Sequence, residues 1–294
     1  MSRASTKFFA RELGFPEAPV ALEDGSFLFV EMSPERGWIV RIAADGSRSV
    51  IAKTGRPNGL AMDREGSLWV AETAQRALLR LDMAGGSEVV AERCGAEPFL
   101  FLNDLAFAPN GDLYLTDSGI AIDEVVPGGE LAPNYRQLRY DGRVYRIECH
   151  SRAVELLDRG LQFANGLAFG PDGALYVAET LSGNIYRYAP RGERFESRRE
   201  LFGNVIEHFD PAELKGPDGM KFDALGNLYA CVFGQGDVTV LDRQGRVVER
   251  LKIDGALPAN LAFGRGEQRI YVTEAQTGTV QILEVAAMGL PLHG

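Results

Sequence analysis

One phrase recurs along the chain and constrains its fold more than any other feature. It reads PNGLAMDREGSLWVAET from Pro57, LNDLAFAPNGDLYLTDS from Leu102 and ANGLAFGPDGALYVAET from Ala164. It returns as PDGMKFDALGNLYACVF from Pro217 and ANLAFGRGEQRIYVTEA from Ala259, and a looser first copy, PEAPVALEDGSFLFVEM, begins at Pro16. Each copy is a short apolar strand, a turn and a second strand. A third strand follows, as in ALLRLD, GRVYRI, GNIYRY, GDVTVL and GTVQIL, and VVAE, VELLD and VVERL hint at a fourth. Short strands between Gly, Pro, Asn and Asp turns predict an all-β fold. A four-stranded unit of roughly 40 residues is the period of a propeller blade.

The expected architecture is therefore a six-bladed β-propeller, one domain over residues 1–294. A seventh blade needs a unit the sequence lacks, and a pair of β-sandwiches explains the single period badly. Counted from the polar residue near the head of each copy, the spacings are 41, 45, 62, 53 and 42. The two long intervals mark insertions, at 118–141 and around 203–215. The early segment KFFARE is expected to pair with the last blade, closing the ring and removing exposed sheet edges.

Composition narrows the function classes. A net charge of −10, with no Lys/Arg-rich patch, speaks against nucleic-acid binding. No apolar run approaches the roughly 20 residues of a membrane span, and MSRASTKFFARELGF lacks the apolar block of a secretory signal. Cys94, Cys149 and Cys231 have no paired spacing, which fits reduced thiols and a cytoplasmic location.

In a propeller the first strand of each blade lines the central channel, so the heads of the six copies meet near one mouth. They carry Glu17, Asn58, Asn103, Asn165, Asp218 and Asn260, with no Lys or Arg expected nearby. Asn and Asp shape turns, and that role suffices for Asn58 and Asn260. Glu17, Asn103, Asn165 and Asp218 are the expected ligands of a cation. Oxygen donors without Cys or His suit a hard divalent ion, Ca2+ first, with Mg2+ or Mn2+ possible and Zn2+ as an artificial load.

Other acids, Glu31, Glu72, Asp117, Glu179 and Glu274, end the second strands at the same mouth. They are expected as solvated rim acids or loop caps, giving an anionic entrance. The 118–141 insertion, with Tyr135, is expected to overhang the mouth as a substrate lid. His208, His150 and His293 are read as surface residues. No G-x-S-x-G elbow is present, and Ser118 has no matched histidine.

PEAP, LNDLAF, ANGLAF and GPDGM, in that order and one per blade, resemble the senescence marker protein/gluconolactonase family of regucalcin-like, metal-dependent lactonases. The resemblance covers nearly the whole chain. It implies a central divalent cation, usually calcium, serving lactone or ester hydrolysis of a small molecule. Matched by motif, Glu17, Asn165 and Asp218 are ligands, and Asn103 is a fourth ligand or a substrate contact. Asp218 is the implied general base or nucleophile, and Asp104 an alternative acidic group. Sugar-lactone-hydrolysing relatives carry an Arg two residues before the Asn-Asp pair, where this chain has Phe101. Phe99 and Phe101 are accordingly expected to wall the pocket, implying a less polar lactone or ester. Two other readings remain beside it: a phosphotriester-type hydrolase, and a non-catalytic propeller that binds a ligand or protein.

Overall fold

The computed structural model describes residues 7–293. Residues 1–6, on which part of the reading of the amino terminus rests, lie outside them. The chain forms a six-bladed β-propeller of four-stranded antiparallel sheets. Blade 1 comprises Pro16–Ala21, Phe27–Glu31, Trp38–Ile42 and Arg48–Lys53. Blade 2 is Pro57–Met62, Leu68–Glu72, Ala77–Leu81 and Ser87–Ala91, and blade 3 is Leu102–Phe107, Leu113–Asp117, Gly142–Glu148 and Ala153–Leu161. Ala164–Phe169, Leu175–Glu179, Asn184–Arg191 and Arg194–Asn204 form blade 4. Gly216–Phe222, Leu228–Phe233, Asp237–Leu241 and Val247–Lys252 form blade 5. Blade 6 takes Pro258–Phe263, Arg269–Glu274 and Thr279–Glu284, and its fourth strand is the early segment Lys7–Ala10. Lys7 pairs opposite Ile282 and Phe8 opposite Gln281, so the ring closes as KFFARE predicts.

Burial falls from the axis outward. The second strands FLFVE, LWVAE, LYLTD and LYVAE are buried along their whole length, because both faces pack on neighbouring blades. The outermost strand of blade 2, SEVVA, is mostly exposed. Between blades 4 and 5, for example, Ala168, Tyr176, Met220, Phe222 and Val232 share one core. Each large apolar side chain buried this way contributes about 1.5–3 kcal/mol.

The first strands of successive blades lie side by side around the axis, blade 1 touching both blade 2 and blade 6. Two glycines make that approach possible. A Cβ on Gly166 would sit 2.1 Å from the Asp218 carbonyl oxygen, and one on Gly219 would sit 2.0 Å from the Asn260 amide. After blade 6 the chain crosses the opposite end of the propeller. There the Ala224 N–H donates to the Met288 carbonyl (2.8 Å), the Leu290 N–H donates to the Phe222 carbonyl (2.9 Å), and His293 packs edge-on to Phe169. Among the described residues no helix is long and apolar enough to cross a membrane.

Candidate metal centre at the channel mouth

Strand register gives each channel residue a height. Pro16 lies opposite Glu31, Pro57 opposite Glu72, Leu102 opposite Asp117, Ala164 opposite Glu179, Pro217 opposite Val232 and Pro258 opposite Glu274. One residue further in, blades 1–5 present Glu17, Asn58, Asn103, Asn165 and Asp218 at one level. The sixth member departs from expectation. Ala259 holds that level in blade 6, and Asn260 sits one residue deeper, level with Asp104. Their bonding shows the equivalence. Asp104 N–H donates to Thr116 Oγ1 (3.0 Å) and Leu105 N–H to Asp104 Oδ1 (2.8 Å). Asn260 N–H donates to Thr273 Oγ1 (2.9 Å) and Leu261 N–H to Asn260 Oδ1 (2.8 Å).

Every first strand has a register irregularity at or just after this level, such as between Glu17 and Val20 and between Pro217 and Met220. Bulges of this kind re-aim side chains beside functional sites. In blade 1 the irregularity includes Ala18 at φ 44°, a left-handed conformation that strains a residue with a Cβ. Its N–H donates to Glu17 Oε2 (2.7 Å).

The result is a group of buried acids that disturb one another. Burial raises the Glu17 carboxyl to about 8; the Ala18 N–H opposes this and the Asp104 charge adds to it. Asp218 is pushed well above the usual carboxylate range, first by burial and then by the charges of Glu17 and Asp104. Asp104 is raised by burial, with the Lys221 ammonium as the chief opposing influence. Lys221, on the first strand of blade 5, also lowers Glu17, so the expectation of no cation near the ring does not hold.

The amides are arranged as donors to a cation would be. Asn165 Nδ2 donates to Thr180 Oγ1 (3.0 Å), which leaves Asn165 Oδ1 buried without a hydrogen-bond partner among the described residues. Asn103 Nδ2 donates likewise to Ser118 Oγ (3.1 Å). A buried acceptor left unpaired costs about 1–3 kcal/mol, and a hard cation satisfies it. Among the described residues no three His, Cys, Asp or Glu side chains form a metal cluster. The candidate donors are instead two carboxylates and two amides, a set that fits Ca2+ and also Mg2+ or Mn2+.

The strand-end acids behave differently from expectation. Glu31, Glu72, Asp117, Glu179 and Glu274 are buried, not solvated. Each fastens the connection entering its blade or the loop leaving it. Asp117, for instance, accepts from the N–H groups of Leu100 (2.8 Å), Phe101 (3.1 Å) and Gly119 (2.8 Å). They are loop caps, and they do not make an anionic entrance.

These features coincide with a family match. The model of the SMP-30/gluconolactonase/LRE-like region matches residues 15–276. The chain belongs to this family. It is 26% identical over 283 residues to a gluconolactonase of Zymomonas mobilis, covering 90% of this chain and 77% of that protein. A gluconolactonase of Xanthomonas campestris superposes with a TM-score of 0.78 at 23% identity, covering 95% of this chain and 89% of that one. A calcium-binding protein, regucalcin, from Agrobacterium tumefaciens gives a TM-score of 0.77 at 19% identity, covering 99% and 97%. The two superpositions establish the shared fold.

Around the mouth of this SMP-30/gluconolactonase-like propeller the expected substrate residues separate. Phe101 is buried with Met32, Ile122 and Phe163, its ring edge-on to Phe163 at 5.5 Å, where the insertion meets the blade ends. Phe99 has no exposed surface and packs on Tyr145 between blades. The 118–141 insertion forms a short helix, Ile122–Val125, and turns whose own core contains Tyr135, Tyr140 and Leu181. Arg136 ties it to the second insertion by donating to the carbonyls of Pro211 (2.9 Å) and Glu213 (3.0 Å), and to blade 4 by donating to the Leu181 carbonyl (3.0 Å).

One mouth residue escaped the sequence reading. Arg56 stands two residues before Asn58, the register position that Phe101 occupies one blade later. Its guanidinium is half-buried and makes no hydrogen bond or ion pair with the described residues, and its Nε is buried without a partner. Burial lowers its pKa, against the opposing charges of Asp123 on the inserted helix, Glu35 and Glu72. The R-P-N-G string was readable as an Arg at this height, had blades 2 and 3 been compared at that position.

Proposed function

We propose that this protein hydrolyses a lactone or related carboxylic ester of a small molecule at the channel mouth. In this reading Glu17, Asn103, Asn165 and Asp218 hold a divalent cation, with Ca2+ favoured by the donor chemistry. The observation that carries the reading is the convergence of Glu17, Asp104 and Asp218, where the Asp104 charge raises the proton affinity of the other two and Glu17 raises that of Asp218, beside an amide oxygen with no partner among the described residues. A propeller serving only as a scaffold has no use for that arrangement, and the lactonase names of relatives point the same way.

Such a cation, when bound, polarises a carbonyl and stabilises the charge that develops on its oxygen. Asp218 accepts the proton of the attacking water; Asp104, one level deeper and more fully buried than the half-buried Asp218, is the alternative base. The apolar collar of Met32, Phe101, Ile122 and Phe163 limits water at the reacting carbonyl. Phe99 acts only through packing, and Tyr135 through the fold of the lid. Arg56 offers donors to a substrate hydroxyl or carboxylate opposite the Phe101 side. The mouth thus suits a lactone with one polar and one apolar edge.

The deciding experiment is a pH-stat assay over sugar, aliphatic and aromatic lactones, with chelator and with Ca2+, Mg2+, Mn2+ or Zn2+ restored. Turnover that disappears with chelator and returns with a divalent cation is expected; no opening of any lactone under any condition overturns the reading. Arg56→Met is expected to depress kcat/KM for hydroxylated lactones more than for aliphatic ones.

A further inference from the structure

The hydroxyl that follows the second strand in blades 3 and 4 carries an inference that rests on the cation site above. Ser118 follows the blade 3 strand and Thr180 the blade 4 strand. Each hydroxyl has one hydrogen to give. Ser118 donates its hydrogen to the Ala164 carbonyl (3.0 Å), and Thr180 to the Pro217 carbonyl (2.9 Å), in each case the residue just before the next blade's ring member. With that hydrogen spent, only lone pairs remain toward the amide of the same blade. A hydroxyl in this state accepts from an NH2 group and cannot donate to an amide oxygen.

We infer that Ser118 and Thr180 are positioning residues that lock Asn103 and Asn165 with nitrogen in the wall and oxygen toward the channel, the one orientation in which an amide can ligate a cation. A flip of Asn165 would place its Oδ1 against the lone pairs of Thr180 and its NH2 where the cation belongs.

The six repeats supply an internal test of the idea. Hydroxyls follow the second strand in blades 2, 3 and 4, as Thr73, Ser118 and Thr180, and those blades contribute the amides Asn58, Asn103 and Asn165. Blades 1 and 5 contribute the carboxylates Glu17 and Asp218, whose two oxygens need no choice of face, and the same position holds Met32 and Phe233. Blade 6 contributes Ala259 and has Ala275 there. In blade 2 the Thr73 hydroxyl makes the inter-blade bond, to the Leu102 carbonyl (2.9 Å). Asn58 makes no hydrogen bond to it among the described residues, so Thr73 separates the structural half of the role from the orienting half.

The test compares Thr180→Val and Ser118→Ala with Thr73→Val, reading cation-free melting temperature and Ca2+ affinity by calorimetric titration. All three are expected to melt earlier, since each loses an inter-blade bond. Only Thr180→Val and Ser118→Ala are expected to weaken Ca2+ binding, by about 10-fold or more, with Thr180→Ser restoring it. Unchanged Ca2+ affinity in both variants, or an equal loss in Thr73→Val, overturns the inference. Side-chain amide NMR of the cation-free protein judges the lock independently. Contacts from the Asn165 NH2 protons to the Thr180 side chain are expected in the wild type and lost in Thr180→Val. Their absence from the wild type overturns the lock. If the wild type binds none of Ca2+, Mg2+, Mn2+ or Zn2+ while those contacts are present, the cation reading fails and the lock stands.

Discussion

Two sets of acids are buried at the same end of this propeller, and they are buried for opposite reasons. Glu274 accepts from the N–H groups of Leu257 (2.9 Å) and Thr277 (2.6 Å), and Glu31 from Gly14 N–H (2.6 Å) with Arg36 alongside. Both Glu274 oxygens are spent on the loop it holds, and Glu31 spends Oε2 in the same way while its Oε1 lies 4.0 Å from the Arg48 guanidinium. Glu17 and Asp218 sit nearby in a ring where the Asp104 charge raises the proton affinity of both and Glu17 raises that of Asp218. Burial alone therefore says little about a carboxylate's role; what its oxygens meet decides between a clamp and a reactive group.

The sharpest way to break this contrast is Asp218→Asn. Loss of the proposed base is expected to cut kcat on the best lactone by about 10²–10⁴-fold, while the amide oxygen still contributes to Ca2+ retention. The cation-free protein is expected to melt higher at pH 8, because one of three mutually repelling acids has been neutralised. A variant that melts lower and keeps its kcat would place Asp218 among the clamps.

The corresponding change in the other set is Glu274→Ala, in blade 6. It strands the N–H groups of Leu257 and Thr277, at about 1–3 kcal/mol each. Urea unfolding is expected to show a loss of about 2–6 kcal/mol with Ca2+ affinity intact. A neutral effect on stability would deny these acids their clamping role.

Much of this was legible in the repeats. Their period fixed six blades and the closing strand, and the heads of the copies brought Glu17, Asn103, Asn165 and Asp218 together. The slip of Asn260 was readable too: PANLAF, aligned on LAF with ANGLAF, puts Asn260 over Gly166. Burial of the strand-end acids was not, because it depends on loops folding back to offer their N–H groups, a long-range event without local pattern. Phe99 was misjudged for a similar reason. Two residues of separation suggest a shared wall with Phe101, but the chain enters the blade between them, and Phe99 turns into the inter-blade core.

Protonation provides a third contrast. Glu17 titrates near 8 in the folded chain against an ordinary 4.5, so between those values the folded state holds a proton that the unfolded state has lost. Stability from this group is complete below pH 4.5 and disappears as pH rises toward 8, with a limiting slope of about 1.4 kcal/mol per pH unit for each proton. The cation-free protein is expected to lose melting temperature from pH 5 to pH 8. Saturating Ca2+ is expected to abolish that loss, since it favours the ionised carboxylates. A pH-independent melting temperature without cation would mean that the channel acids are already satisfied.

The smallest expected effect concerns the cations that accompany each set. Arg36 pairs directly with Glu31 at its loop, so Arg36→Met should lower stability and leave Ca2+ binding alone. Lys221 instead lies within electrostatic reach of Glu17 and Asp104, where its positive charge opposes a second cation in the ring. Removing it in Lys221→Met deletes one unit of repulsion, which at protein-like screening corresponds to roughly three- to tenfold tighter Ca2+ binding. The titration belongs at pH 9, above the Glu17 transition, because the same substitution also strengthens proton binding and would mask the gain at lower pH. Weaker Ca2+ binding at pH 9 would make Lys221 a support of the ring instead of a competitor for its centre.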